Sequence, residues 1–199
     1  MSLNWGFDRG TPIDRHFIEG FLSQRRADIG GRVLEVKDAG YTRRFGSHVT
    51  AVDVLDIDPL NSFASIIGDL TDMPHVGSDT FDCVLLTQTL HLVYDYRRAL
   101  TEVRRILRPG GILLVTMPSL SRTSRELHGS DYWRMTPTGV SRLLSDVFGG
   151  DNVEVTSAGN AVLCAAFVVG VAVEEVRPRL LREQDPLFPL VVTARAIKR

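Results

Sequence analysis

Residues 80–118 read TFDCVLLTQTLHLVYDYRRALTEVRRILRPGGILLVTMP, and this stretch decides the fold. An apolar run at 81–87 has the length of a buried strand and leads into a polar elbow. Apolar residues then recur with helical spacing, at Tyr96, Ala99, Leu100, Val103, Ile106 and Leu107. Arg-Pro-Gly-Gly at 108–111 is expected to end this helix before a second buried strand at 112–117. The stretch predicts a strand–helix–strand crossover, the unit of a parallel sheet covered by helices.

The rest of the chain continues this alternation. Thr11, followed by a proline and then by an acid, predicts a helix beginning at Pro12 with the Thr11 hydroxyl as its N-cap. An amphipathic pattern predicts a helix at 136–148, and the apolar run at 161–173 suits a buried helix. Further strands are predicted at 32–36, 49–55, 65–70, 153–157 and 190–197. Residues 1–199 are therefore expected to form one doubly wound α/β domain.

Composition and charge narrow the possible functions. The 199 residues carry a net charge of −1, which leaves no basic footprint for nucleic acid and no polybasic membrane patch. Cys83 and Cys164 lie within apolar runs and suit buried side chains in a reducing compartment. The first residues do not resemble a signal peptide, and the longest apolar run is too short to cross a bilayer. We expect a cytoplasmic protein without nucleic-acid partners or membrane insertion.

Acidic residues fall at or just beyond the predicted ends of three strands. Glu35 and Asp38 accompany the first strand, Asp53 the second and Asp69 the third. In a doubly wound sheet, ligands bind at the carboxyl ends of the strands near the switch point. Asp53 is therefore expected to accept hydrogen bonds from both hydroxyls of a ribose. The alternative for each acid is a solvated side chain at the start of a loop.

The order of residues in 80–118 also resembles a known family. The pattern FDxVxxxxxLHxxxDxxxALxExxRxLxPGGxLxxxxP is similar to the middle of class I S-adenosylmethionine-dependent methyltransferases. The resemblance implies a Rossmann-like methyltransferase fold, a mostly parallel seven-stranded sheet with an antiparallel last strand, and S-adenosylmethionine as cofactor. It places Asp69 near the adenine amino group. The implied cofactor-binding residues are Glu35, Lys37, Asp38, Gly40, Tyr41, Asp53, Val54, Asp69, Leu70, Thr87 and Gln88.

The first loop departs from the family pattern. Residues 35–41 read EVKDAGY where these methyltransferases carry a glycine-rich E/DxGxGxG. Loss of the glycines argues against NAD or FAD, whose pyrophosphate needs a backbone cradle, whereas a methyl donor has no phosphate. Residues 41–50 alone separate the first two strands, so the first crossover helix must be short.

Other segments resemble a bacterial methyltransferase-like group often linked with glycosyltransferases. They are RGTPIDR at 9–15, LEVKDAGYTRRFG at 34–46, QTLHLVYD at 88–95 and DYWRMT at 131–136. Residues 1–31 are then expected to form an arm and helix that cover the donor site, with the arm at 5–10 as a lid.

The methionine end of a methyl donor carries a carboxylate and an ammonium, and both need partners once buried. Lys37 stands in the place of the family's first glycine, and Lys37, Arg9 or Arg15 is predicted to pair with the carboxylate. Glu35 or Asp38 is predicted to face the ammonium. The alternative is that Lys37 points to solvent or pairs with Asp38 to hold a shortened turn.

His91 is the first candidate for a catalytic base. It follows the fourth strand, beside the predicted methyl position, and titrates in the range useful for accepting a proton from a hydroxyl. The alternative is that His91 packs against the site or caps a helix. His128 is the second candidate, with a plain surface residue as its alternative.

Tyr132, Trp133 and Arg134 are predicted to contact the acceptor. Aromatic faces stack on sugar rings, and an arginine forks onto a carboxylate or phosphate. The alternative is an apolar plug over the helix at Thr136, with Arg134 paired to Asp131.

Two functions compete at this point. The first is methyl transfer to a hydroxyl of a small-molecule acceptor such as a sugar or glycan precursor. The second is a catalytically inactive binding or scaffolding protein, which the altered glycine loop favours. No spacing of histidines, cysteines and carboxylates resembles a metal site, and the oligomeric state is not predicted.

Overall fold

The computed structural model, which describes residue 2 and residues 4–124, 126–127 and 129–199, contains one mixed sheet of seven strands. In chain order the strands are β1 (Gly31–Val36), β2 (Val49–Asp56), β3 (Ile66–Ile67), β4 (Phe81–Thr87), β5 (Leu107–Pro118), β6 (Val153–Ala158) and β7 (Val191–Ile197). Their order across the sheet is β3-β2-β1-β4-β5-β7-β6. β1 to β5 pair in parallel, and β7 runs antiparallel to both β5 and β6. The predicted fold class, with its antiparallel last strand, is confirmed.

Helices cover both faces of this sheet. They are α1 (Ile13–Gln24), α2 (Gly40–Phe45), α3 (Tyr96–Ile106), α4 (Pro137–Phe148), α5 (Ala161–Val168) and α6 (Pro178–Arg182). Between β1 and β2 the crossover helix α2 has six residues, which confirms the predicted shortening. No helix among the described residues combines the length and the hydropathy needed to cross a membrane.

Several boundaries differ from the sequence-based expectation, and α5, for example, ends at Val168 rather than at 173. Three of the differences have an identified contact or pairing as their cause. α1 begins at Ile13 and Thr11 does not cap it, because the Thr11 amide and hydroxyl both donate to Glu174, at 2.9 and 2.8 Å. β5 begins at Leu107, because the glycines at 110–111 exchange backbone hydrogen bonds with Lys198 and so join the sheet. β3 has two residues rather than the six of 65–70, since it pairs only with the last two residues of β2.

Two apolar cores lie on opposite faces of the sheet. Successive side chains of β4 alternate between them: Val84 and Leu86 face α3 and α4, whereas Cys83 and Leu85 face α1 and α5. This burial on both faces explains why β4 is apolar throughout. Both cysteines are buried free thiols, as the apolar context predicted. That residues 1–199 form a single domain stays a prediction.

The sheet topology places a ligand site between β1 and β4. From β1 the chain moves outward through β2 to β3, and it then returns to the other side of β1 to build β4 and β5. Neighbouring loops at the carboxyl ends of β1 and β4 therefore diverge and leave a crevice.

Candidate active site

A cleft of about 530 Å³ occupies this crevice. The N-terminal arm and α1 form one wall, the loop after β1 and the elbow after β4 form the floor, and the segment after β5 closes the far side. The predicted site residues that line the cleft are Glu35, Lys37, Asp38, Tyr41, Thr87, Gln88, His91 and Arg134. Gly40, Asp53, Val54, Asp69, Leu70, Tyr132 and Trp133 are not among the lining residues.

Glu35 anchors the loop after β1. Its side chain is buried, and its two carboxylate oxygens accept hydrogen bonds from the backbone amides of Tyr41 (3.0 Å) and Thr42 (2.8 Å). Burial raises the pKa of the Glu35 carboxyl, and the bonds from Thr42 and Tyr41 oppose that shift. Glu35 thus holds the start of α2 against β1.

Lys37 keeps the backbone shape of a glycine. Its φ is +76°, in the left-handed region that glycine adopts freely and other residues rarely adopt. The Lys37 amide donates to Leu55 (2.9 Å), and its carbonyl accepts from the Asn61 side chain (2.7 Å). Among the described residues no ion pair joins Lys37 to Asp38, whose carboxylate accepts from the amide of Gly40 at 2.7 Å. Lys37 thus replaces the first glycine of the family pattern, while the loop after β1 keeps a backbone conformation typical of glycine.

Asp53 does not lie at the end of the second strand as expected. β2 continues to Asp56, and the Asp53 carboxylate accepts from Arg32 Nε (2.7 Å) and the Ser65 hydroxyl (3.0 Å). Asp56 is the acid at the strand end, where its carboxylate accepts from the Asn61 side chain at 2.6 Å. The missed signal is that the polar residue directly after the apolar run is Asp56, whereas Asp53 lies inside the run.

The segment after β3 has a local role in the structure. The Asp69 carboxylate accepts from the amide and the hydroxyl of Thr71, both at 2.8 Å. Leu70 is buried in the core on the α3 side of the sheet, and Val54 is buried in β2. A contact of Asp69 with adenine stays a prediction.

His91 reaches the cleft from a 3-10 helix at Leu90–Leu92, directly beyond β4. Its carbonyl accepts from the amides of Tyr132 (3.0 Å) and Trp133 (3.2 Å). Its Nδ1 is buried and has no hydrogen-bond partner among the described residues. Burial lowers the pKa of His91 to about 4, so the imidazole is neutral at neutral pH. His128, the second candidate, lies outside the described residues.

The segment after β5 contains the ion pair between Arg134 and Asp131 that was part of the alternative to acceptor contact. Arg134 pairs with Asp131 through two hydrogen bonds, at 2.6 and 3.0 Å, and also donates to backbone carbonyls. Trp133 Nε1 donates to the carbonyl of Val93 at 3.1 Å, and the ring packs against Tyr94. Tyr132 also packs against Tyr94, outside the cleft. Tyr132 and Trp133 do not line the cleft, Arg134 lines it with its donors used within the chain, and acceptor contact by these three residues stays a prediction.

The N-terminal wall carries Arg15, which is among the residues predicted for the donor carboxylate, and Asp14, which the sequence does not single out. Asp14 and Arg15, in the first turn of α1, both line the cleft. An acid at position 14 also suits an ordinary helix start, and no local pattern separates that role from a cleft position. Arg9 turns away from the cleft and pairs with Glu175. From the arm, Trp5 lies under the Arg122 guanidinium, 4.2 Å from ring centre to Cζ.

Residues 35–115 match the model of a family described as "Methyltransferase domain". This segment runs from the end of β1 into β5, and so supplies the floor of the cleft. These residues are thus similar to a methyltransferase domain, and curated proteins that match part of the chain are methyltransferases as well.

The relatives cover part of the chain. A fatty-acid O-methyltransferase of Mycolicibacterium smegmatis is 31% identical over 143 residues, which is 58% of this chain and 52% of that protein. A phthiotriol/phenolphthiotriol dimycocerosates methyltransferase of Mycobacterium tuberculosis is 27% identical over 139 residues, covering 56% of this chain and 51% of that protein. The chain thus spans about half the length of the curated relatives it matches.

A solved structure confirms the fold over nearly the whole chain. The N-methyltransferase NodS of Bradyrhizobium japonicum, in complex with S-adenosyl-L-homocysteine, superposes with a TM-score of 0.59. The match covers 96% of this chain and 89% of NodS, at 14% identity. The chain has the Rossmann-like methyltransferase fold.

Proposed function

We propose that this protein transfers a methyl group from S-adenosylmethionine to a hydroxyl of a small-molecule acceptor, with His91 as the base. One observation carries the proposal: a half-buried, neutral imidazole at the carboxyl end of β4 borders the switch-point cleft, and its buried Nδ1 has no hydrogen-bond partner among the described residues. The match of residues 35–115 to a methyltransferase domain supplies the reaction class.

The adenosine part of the donor fits beside β2 and β3. Asp56 ends β2 at the position that binds ribose in doubly wound folds, so Asp56 takes the role first expected of Asp53. Ile57, directly after Asp56, is 70% exposed and offers an apolar surface for a flat base. Asp69, after β3, is proposed to meet the adenine amino group.

The methionine part of the donor fits the cleft itself. Lys37 and Arg15 line it and are the proposed partners of the donor carboxylate, whereas Arg9 is held by Glu175. The fold keeps the loop shape for this approach, since Lys37 has the φ of a glycine. The altered sequence of the loop therefore does not by itself argue for an inactive protein.

Methyl transfer requires the protein mainly to align the acceptor with the donor. The sulfonium supplies an activated methyl group, and the acceptor oxygen must approach it in line. His91 would accept the hydroxyl proton, because its neutral form predominates at neutral pH. The low pKa makes His91 a weak base, so positioning contributes more than basicity.

The acceptor is proposed to carry an apolar part. Phe7, Leu120 and Leu127 line the cleft and are each more than one-third exposed. The printed names of the relatives include a fatty-acid and a lipid methyltransferase. A sugar acceptor stays a prediction. The two aromatic rings that were expected to stack on it, Tyr132 and Trp133, pack outside the cleft.

Two measurements test the proposal in sequence. Calorimetry with S-adenosylhomocysteine is expected to show binding by the parent protein, and failure to bind would favour the scaffolding alternative. Release of S-adenosylhomocysteine is then measured with hydroxylated fatty acids, fatty alcohols and free sugars as acceptors. Turnover with the apolar alcohols is expected, and turnover with sugars alone would favour the sugar acceptor instead. His91→Ala serves as the matched inactive control.

A further inference from the structure

α1 presents two side chains of opposite charge to the cleft. Asp14 and Arg15 both line it, on the wall beside Lys37 and Tyr41. The Asp14 carboxylate accepts from the Arg15 amide at 2.8 Å, and the Arg15 guanidinium carbon lies 5.7 Å from the centre of the Tyr41 ring. Within the described part of the chain, neither side chain takes part in an ion pair.

Three other carboxylates of the cleft already have partners. Glu35 uses both oxygens on the amides of Tyr41 and Thr42. The Asp38 carboxylate accepts from the Gly40 amide, and Asp131 on the far wall pairs with Arg134. Of the remaining cleft carboxylates, Asp14 lies on the wall beside Lys37, whereas Glu126 is exposed in the segment after β5. A buried ammonium on the α1 side would therefore have Asp14 as its partner.

We propose that Asp14 binds the ammonium, and Arg15 the carboxylate, of the methionine end of the methyl donor. The proposal rests on the proposed function, and it replaces Glu35 and Asp38 as partners of the ammonium. Two opposite charges on one helical turn complement a zwitterion, whose own charges lie on a single carbon. The methionine end of the donor would then be bound by α1, which precedes β1 in the chain, rather than by the loop after β1.

The ionisation of Asp14 gives the proposal a second signature. Burial raises the pKa of the Asp14 carboxyl to about 6, although the hydrogen bond from the Arg15 amide acts to lower it. A bound ammonium would lower that pKa again, so donor binding near pH 6 would release a proton. The other ionisable groups facing Asp14 are Arg15, Glu35, Lys37, Asp38 and Tyr41 on the near side and His91, Arg122, Glu126, Asp131 and Arg134 across the cleft.

The test compares three ligands that share the adenosine and differ at the methionine end. They are S-adenosylhomocysteine, its decarboxylated analogue, which keeps the amine, and 5′-methylthioadenosine, which lacks both charges. Asp14→Asn is expected to weaken the first two about tenfold to a hundredfold and to leave the third unchanged. Arg15→Met is expected to weaken S-adenosylhomocysteine alone. Asp151→Asn, at an exposed residue outside the cleft, is the matched control.

Each outcome decides a different point. If Asp14→Asn binds all three ligands as the parent does, or weakens all three equally, the assignment of Asp14 is overturned. If the parent binds none of them, the proposed function fails before Asp14 is tested. Calorimetry at pH 6 in buffers of different ionisation enthalpy should show proton release for the parent and a smaller release for Asp14→Asn, and equal release would contradict the role of Asp14.

Discussion

The side-chain amide of Asn61 donates to the backbone oxygen of Lys37 at 2.7 Å and so ties the loop after β2 to the loop after β1. The same amide group donates to the carboxylate of Asp56 at 2.6 Å. One side chain therefore fixes both loops that are proposed to hold the donor, and it does so where Lys37 has a left-handed backbone.

Replacing Lys37 tests this backbone geometry. Lys37→Gly removes the strain of a left-handed backbone at a residue with a side chain, which should raise the free energy of unfolding by about 1–2 kcal/mol. It also increases the conformational entropy of the unfolded chain, which should lower the free energy of unfolding by about 0.4–1 kcal/mol. We expect the free energy of unfolding to stay within about 1 kcal/mol of the parent in urea titrations. Lys37→Val, which puts a β-branched residue at the same φ, should lower it by about 1–3 kcal/mol. Equal effects of the two changes would show that φ at this position is unimportant.

Substitutions of Asp56 and Asp53 should affect different properties: donor affinity for Asp56 and the free energy of unfolding for Asp53. Asp56→Asn should weaken S-adenosylhomocysteine binding about tenfold to a hundredfold, because it removes the charged acceptor from the ribose position. Asp53→Asn should leave the affinity unchanged and lower the free energy of unfolding by up to about 1 kcal/mol, since its Arg32 partner is 42% exposed. Calorimetry and urea titration measure the two effects. The reverse pattern would restore Asp53 to the ribose.

His91→Ala should retain donor affinity and lose turnover by about 10²–10⁴-fold on a hydroxyl acceptor. The reason is that the imidazole contacts the acceptor proton and not the donor in the proposed arrangement. Single-turnover kinetics with donor saturating measure this loss. A parallel loss of donor affinity and rate would instead make His91 a wall of the donor site.

Asp14 and His91 should act on stability with opposite signs in the same pH range. Burial raises the pKa of Asp14 to about 6, so the folded state binds the extra proton, and this contribution to stability is lost as the pH rises from 4 to 6. Burial lowers the pKa of His91 to about 4, so its contribution is lost as the pH falls from 6.5 to 4. The contribution of each residue to the free energy of unfolding is at most about 3 kcal/mol.

The two contributions can be separated by substitution. Relative to the parent, the free energy of unfolding of Asp14→Asn should rise more steeply with pH between 4 and 6.5, and that of His91→Gln less steeply. Urea titrations across this range measure both slopes. Parallel curves for the parent and both variants would refute the buried ionisation of these groups.

Asp131 should be the structural acid of the far wall. Its side chain is 3% exposed, and Arg134 holds the pKa of its carboxyl below the usual value. Asp131→Asn leaves the Arg134 guanidinium without a carboxylate and should lower the free energy of unfolding by about 3 kcal/mol. Arg142→Ala, which removes an 81% exposed partner of Asp146, is the control and should change it by less than about 1 kcal/mol. Similar losses in thermal melts would show that the burial of Asp131 is unimportant.

The apolar periodicity of the chain was sufficient to predict the fold. β4 has the bounds 81–87 that its apolar run indicated, and α3 begins at Tyr96, where the helical spacing begins, and ends at Ile106, one residue before that spacing does. These elements are determined locally, because a strand buried on both faces must be apolar throughout and a helix must keep one apolar face. The short α2 was likewise predictable, from the few residues between β1 and β2.

Tertiary structure alone decided which polar residues meet. Asp14 and His91 are 77 positions apart in sequence, and no local pattern shows that both border one cleft. Arg134 carries the same charge whether it faces a ligand or Asp131, and only the folded segment after β5 selects Asp131. The sequence by itself determined which segments are buried, because burial depends on local composition. The partners of charged side chains depend on distances between segments that are remote in sequence, and those distances exist only after the sheet has formed.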